Sequence, residues 1–220
     1  GYNGSLTTGY TQGQYARFNE GANFNYRNGK LNLFTNLNYN RNHKGEDLFI
    51  TRNFRESTTK NIISIFDQTA NMENESHYYS AKAGLDYFAS KKTTLGVVVS
   101  GFYNPSTWTS NTSNFINDPN NILLSQTQSF SQNNEKWKNF SGNFNLKTVL
   151  DSTGQELTTD LDYIQYRSTS KQPLVSSYYD AGGNLTKIPD TLMGTLPQDI
   201  TIYSGKVDYT LPLKKGAKFE

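Results

Sequence analysis

Apolar and polar residues alternate with a period of two along most of the chain, which is the signature of half-exposed β-strands. Leu6, Thr8 and Tyr10 alternate with Ser5, Thr7 and Gly9. Phe18, Ala22, Phe24 and Tyr26 share one face, with Asn19, Asn23 and Asn25 on the other. Leu31, Leu33, Leu37 and Tyr39 then alternate with Asn32, Asn36, Asn38 and Asn40. Between these two segments, Arg27-Asn28-Gly29-Lys30 suits a two-residue type I′ turn, because Asn-Gly tolerates two positive φ angles. Pairing Arg27 with Lys30 sets Tyr26 against Leu31 and Phe24 against Leu33, so the apolar faces coincide.

The pattern returns at Tyr79–Tyr87, Leu95–Tyr103, Phe140–Lys147, Leu157–Tyr163 and Tyr203–Leu211. A turn is expected from Pro212 to Ala217, and Lys218-Phe219-Glu220 begins a ninth strand. No stretch combines helical periodicity with caps. Connections alternate in length. Short ones fall at 27–30, 88–94, 151–156 and 212–217, and long polar ones near 43–76, 104–136 and 167–199. Long loops at one end of the strands and tight turns at the other are the layout of an outer-membrane barrel.

Composition favours that layout over a soluble core. Ala, Val, Ile, Leu, Met, Phe, Trp and Gly total 77 of 220 residues, about 35% against the roughly 45–50% of ordinary globular chains. Asn, Ser and Thr supply 26, 20 and 24 residues. The longest apolar runs, such as Val97-Val98-Val99, fall far short of the ~18 residues of a membrane helix. A closed barrel of strands remains open to such a chain. Tyr26, Tyr87 and Tyr209 near the short turns, and Tyr10, Phe18, Tyr39, Tyr103 and Tyr163 toward the other end, suit two interfacial girdles. The competing reading is a soluble or surface-attached β-sandwich that binds glycans or partner proteins through its long loops.

Charge and chemistry narrow the function. Net charge is +2 with both signs interspersed, which leaves no footprint for nucleic acid. Zero cysteines exclude a disulfide framework and a thiol nucleophile. A Ser-His-Asp site around His77, near Glu73 and Glu75, is weaker than reading His43 and His77 as exposed loop residues, and no catalytic constellation emerges. No cofactor or metal is expected. Asp180-Ala181-Gly182-Gly183-Asn184 resembles a calcium loop but lacks the glutamate an EF-hand needs at the end of its loop, so a hairpin tip is expected. Setting Leu150 against Leu157 places Lys147 opposite Asp160. Lys82, Asp86, Asp162, Lys206 and Asp208 would share that polar wall, as contacts to a plug or solute or simply as solvated charges. Trp108 and Trp137 fall within or beside the second long connection, where an aromatic ring can stack on a sugar or, for Trp137, sit at a membrane interface.

Several short runs are familiar in this order: Gly1-Tyr2-Asn3-Gly4-Ser5-Leu6, Phe24-Asn25-Tyr26-Arg27-Asn28-Gly29-Lys30, Leu85-Asp86-Tyr87-Phe88, Leu157 to Tyr163 and Val207-Asp208-Tyr209. Together they resemble the barrel region of the TonB-dependent receptor-like outer-membrane proteins of Bacteroidota. The resemblance implies an antiparallel transmembrane β-barrel, present here as an incomplete segment whose plug domain and remaining strands lie outside the chain. It also implies an uptake receptor that imports a small or oligomeric nutrient without converting it. Its partners would be outer-membrane lipid, its own plug, a TonB-type energy-coupling protein and a surface lipoprotein.

Overall fold

A computed structural model describes residues 1–212 and the backbone of 218–219. One antiparallel sheet takes every strand in chain order: β1 (Tyr2–Gln12), β2 (Ala16–Asn28), β3 (Leu31–Arg55), β4 (Ile62–Phe88), β5 (Thr93–Asn117), β6 (Leu123–Val149), β7 (Glu156–Asp180), β8 (Asp190–Pro212) and β9 (Lys218–Phe219). No described residue is helical. The expected strand count and meander are therefore present. β1 and β9 do not pair, so the sheet is open along both edges, as an incomplete barrel must be. Beyond Pro212, the turn expected up to Ala217 falls outside the described residues; β9 returns through the pairs Leu211–Phe219 and Pro212–Lys218.

The three long loops expected at 43–76, 104–136 and 167–199 are instead strand. β3 to β8 run for 23–27 residues each, and the connections shrink to tips after Arg55, Asn117 and Asp180. Apolar alternation stops in these segments because both faces are wet, yet threonine and the ladder keep the backbone extended. Polar side chains bond across the strands in place of apolar contacts. Thr51 Oγ1 donates to Asp67 at 2.6 Å, Asn117 to Asp67 at 3.2 Å, and Ser129 and Ser176 hydroxyls meet at 2.9 Å. Each tip has a local device. Asp118 Oδ1 accepts from the Asn120 and Ile122 amides at 2.8 Å, and Asp180 Oδ1 from the Gly182 and Asn184 amides at 2.9 Å. The expected glycine-bearing tip at 180–184 is thus present, with Gly183 at φ +79.

Two registers differ from expectation by two residues, which preserves the faces but changes the partners. In the β2–β3 hairpin, Asn28 pairs with Leu31 and Tyr26 with Leu33, leaving Gly29 and Lys30 as the turn. Only Gly29 has a positive φ, +55, so the turn follows the II′ pattern with glycine first rather than I′. At the β6–β7 end the ladder closes at Val149–Glu156 rather than Leu150–Leu157. Asp151 accounts for this: its carboxylate accepts from the Thr153 amide at 2.9 Å and the Gln155 amide at 3.2 Å, which sets a turn of the same length one residue earlier in the chain.

A β-sandwich would bury one face under a second sheet. Among the described residues no second sheet exists, and the only buried hydrophobic side chains are Ile65 and Ala70. Large apolar side chains instead line one surface in the open: Leu6 is 87% exposed, Leu37 51%, Phe140 52% and Val207 66%. Register places them all on the same face, here called outer, together with Leu33, Leu85, Val97, Val99, Phe144 and Leu161.

Tyrosine and phenylalanine border this belt, and the border is slanted. Tyr39, Tyr79 and Tyr103 lie in one row, with ring centroids 4.9 and 6.4 Å apart. Relative to that row, Tyr10 and Phe18 stand two residues higher, Phe140 two lower, and Tyr163 and Tyr203 four lower. The border thus descends about six residues over the seven steps from β1 to β8. With ~3.3 Å per residue and ~4.8 Å per strand, that slope corresponds to strands tilted by roughly 30°. The opposite border descends the same way through Tyr2 and Tyr26, then Tyr87, then Tyr209. Parallel slanted borders are what a level membrane draws on tilted strands. Eight residues separate Tyr79 from Tyr87, and at this tilt they span about 23 Å, close to the ~25 Å apolar band of outer-membrane barrels.

Candidate functional site

The inner face is polar where the outer face is apolar. One row crosses seven strands as Arg27, Asn32, Asp86, Gly96, Asn145, Asp160 and Lys206. Two residues nearer the tall hairpins, Asp162 stands between Asn143 and Ser204. Amides hold the carboxylates: Asn32 donates to Asp86 at 3.1 Å and Asn143 to Asp162 at 2.7 Å, while Asn145 donates to Asn143 at 3.0 Å. Lys206 Nζ meets Asp208 at 2.7 Å. Lys82 reaches over the Phe34 ring, 6.0 Å from its centroid. That ring occupies the place a side chain at Gly84 would need, so the glycine makes room for an aromatic laid flat on the wall.

The charged residues expected on one wall, Lys82, Asp86, Lys147, Asp160, Asp162, Lys206 and Asp208, do share the inner face. Their pairings differ. Lys147 opposes Thr158, not Asp160, and bridges diagonally to Glu156 at 2.8 Å; the two-residue register change at the Asp151 turn is the cause. Trp108 does not lie in a loop. It is half-buried on the inner face of β5, between Asn74 and Asn133, roughly 40 Å along the strands from the Asp86 row. The two cannot belong to one site. Trp137 is also on the inner face, donating its indole N–H to Glu135, so it is not an interfacial anchor on the lipid side.

An aromatic and amide patch lies between these extremes, at the level of the upper tyrosine border. Tyr78 packs 5.5 Å from Phe102, which reaches Tyr166 at 6.4 Å two strands away. Trp137 stands beside Asn104 across the β5–β6 ladder. Asn139 donates to the Gln165 carbonyl at 3.1 Å, whereas the buried Asn104 Oδ1 lacks a partner. A buried unsatisfied amide oxygen costs about 1–3 kcal/mol unless a donor meets it. Rings flanked by amides give this part of the inner face both apolar and hydrogen-bonding character. Sequence reasoning passed over this patch, although the doublets Tyr78-Tyr79 and Phe102-Tyr103 carry the signal, since period two must send one ring of each to the polar face.

The histidines lie on the outer face just beyond the tyrosine border. The Tyr39 hydroxyl and His77 Nδ1 are 3.0 Å apart, and His43 Nε2 meets Glu73 at 2.6 Å beneath the stacked ring of Tyr15. Arg41 bridges to Glu75 at 2.7 Å. These contacts join strands and a tip to one another in a polar collar.

A transmembrane antiparallel β-barrel wall is the class that this belt, these borders and this wet inner face define. The last third of the chain, residues 148–220, matches the outer membrane protein beta-barrel family. That stretch holds β7, β8 and β9, including Asp160, Asp162, Lys206 and Asp208. No curated protein matches the chain.

Proposed function

We propose that this chain forms part of the barrel of an outer-membrane TonB-dependent receptor that imports a nutrient without chemical conversion. The single observation that carries the reading is the slanted apolar belt between two aromatic borders, backed by a polar inner face. Such a wall needs lipid outside and water or a plug inside. Further strands close the open edges, and a plug domain fills the lumen against Asp86, Asp160, Asp162 and Lys206. A TonB-type protein supplies energy to move the plug, and a surface lipoprotein hands the nutrient to the tall hairpins. The patch of Tyr78, Phe102, Trp137 and Tyr166 is the surface on which the solute pauses, with catalysis nowhere on its path. The wall binds no nucleic acid and requires no cofactor.

Uptake in intact cells tests this. Cells lacking the protein should fail to accumulate at least one nutrient from a defined panel, and a protonophore should abolish the same uptake in wild-type cells. Uptake that persists without the protein, or survives collapse of the proton gradient, would remove the transport reading. Binding of the plug is checked separately by cross-linking from Asp160 and Asp162.

A further inference from the structure

We infer that the outer wall across β5, β6 and β7 holds a phosphate-bearing lipid of the surrounding leaflet, a reading that rests on the membrane placement proposed above. On β3 and β4 the collar beyond the tyrosines is internally paired, Arg41 with the Glu75 carboxylate and His43 with Glu73. On β6 it is not. Lys138 stands directly between Tyr103 and Arg167 on the outer face, and Lys136 is the next outer residue along the strand. All three are exposed. Arg167 shares Asp199 at 2.8 Å, while Lys136 and Lys138 have no ion pair among the described residues.

Height and shape agree with the charge. Relative to the slanted border these cations lie two to four residues beyond Phe140 and Tyr163, about 6–11 Å outside the apolar band, which is the headgroup zone. Below them, past the outer row of Gly101, Phe140 and Gln165, the wall has an open dip. Gly142 has open space where a side chain would stand, and a groove of about 340 Å³ runs there, lined on the outer side by Val97, Val99, Phe144, Leu161 and Tyr163. A cationic rim over an apolar groove matches one occupant, a lipid with an anionic phosphate above and an acyl chain below. Free phosphate would use the rim but not the groove.

Native mass spectrometry of the protein extracted from the membrane in mild detergent tests this, with titrated phosphatidylglycerol as the probe. The wild type should retain phosphatidylglycerol over phosphatidylcholine. Replacing Lys136, Lys138 and Arg167 together by Gln should weaken retention on the order of a hundredfold. Lys136→Arg with Lys138→Arg should keep it, and Gly142→Leu should lower it with the charges intact. Undiminished retention in the triple Gln variant overturns the inference. So does undiminished retention in Gly142→Leu, which would mark a phosphate rim without a lipid site. Lipid is counted only on protein recovered from membranes. Recovery in the soluble fraction would defeat the barrel reading itself, whereas membrane-bound variants that keep their lipid defeat only this inference.

Discussion

Val99 offers a severe test of the membrane-facing wall. Its side chain lies on the outer face of β5, four residues below Tyr103, and is 44% exposed. If the belt faced water, Val99→Arg would place a charge on an already accessible surface and change stability by no more than about 0.5 kcal/mol. If it faces hydrocarbon, the residue is near the mid-plane, since the belt spans about eight residues between its tyrosines. A lipid-facing arginine there costs about 2–4 kcal/mol. That is roughly a 30- to 1000-fold fall in the folded-to-unfolded ratio. Asn111→Arg is the matched control. It is exposed on the same face of the same strand, 12 residues further along, or about 34 Å higher at the estimated tilt. Its cost should stay within about 0.5 kcal/mol. Val98→Arg, at the same depth on the inner face, should cost less than Val99→Arg. Reversible guanidinium unfolding of the protein in phosphatidylcholine vesicles, followed by tryptophan fluorescence, reads all three. Equal midpoints for Val99→Arg and Asn111→Arg would refute the argument.

Other consequences follow from the turns and rings. Gly29→Ala puts a Cβ at φ +55 and should destabilise the β2–β3 hairpin by about 1 kcal/mol, seen as a lower unfolding midpoint. The Thr153 hydroxyl, with backbone amides, holds the Asp151 carboxyl below its usual range, and the Asn184 amide does the same for Asp180. Since folding depresses both, their stabilisation is present above the ordinary carboxylate pKa and is lost as pH falls through the lowered one. The amide of Gln155 should therefore exchange faster, relative to a strand amide such as Val99, only at pH below the normal carboxylate range; protection unchanged there would contradict it. Brominated acyl chains should leave the fluorescence of Trp108 and Trp137 unquenched, because both indoles face inward. Strong quenching of either would invert the assignment of faces.

The faces were legible because period two is a property of covalent geometry, and Tyr10, Phe18, Tyr39, Tyr103 and Tyr163 border the belt as expected, with Tyr79 and Tyr203 added by the register. Registers were not, because parity alone cannot separate a shift of two residues. Which carbonyl closes a turn depends on local bonds such as those of Asp151, and these moved Lys147 from Asp160 to Thr158. The tall hairpins were hidden for a different reason. Where both faces are wet, Asn, Ser and Thr carry no apolar alternation, so 43–76 reads as loop while its backbone remains a ladder. The inner aromatic patch was obscured by its neighbours, since Phe102 and Tyr78 each adjoin a tyrosine that satisfied the outer pattern.

Between 95 and 103, the odd-numbered residues of β5 face lipid and the even-numbered ones face water. The chain has no cysteine, so single cysteines can be placed at 95 through 103 and spin-labelled in the membrane-embedded protein. Collision rates with dissolved oxygen and with a water-soluble nickel complex then give the environment of each label. The structure predicts oxygen-rich, nickel-poor labels at Leu95, Val97 and Val99, with the reverse at Gly96, Val98 and Ser100. Uniform nickel access along the strand, or lipid exposure at the even positions, would contradict it.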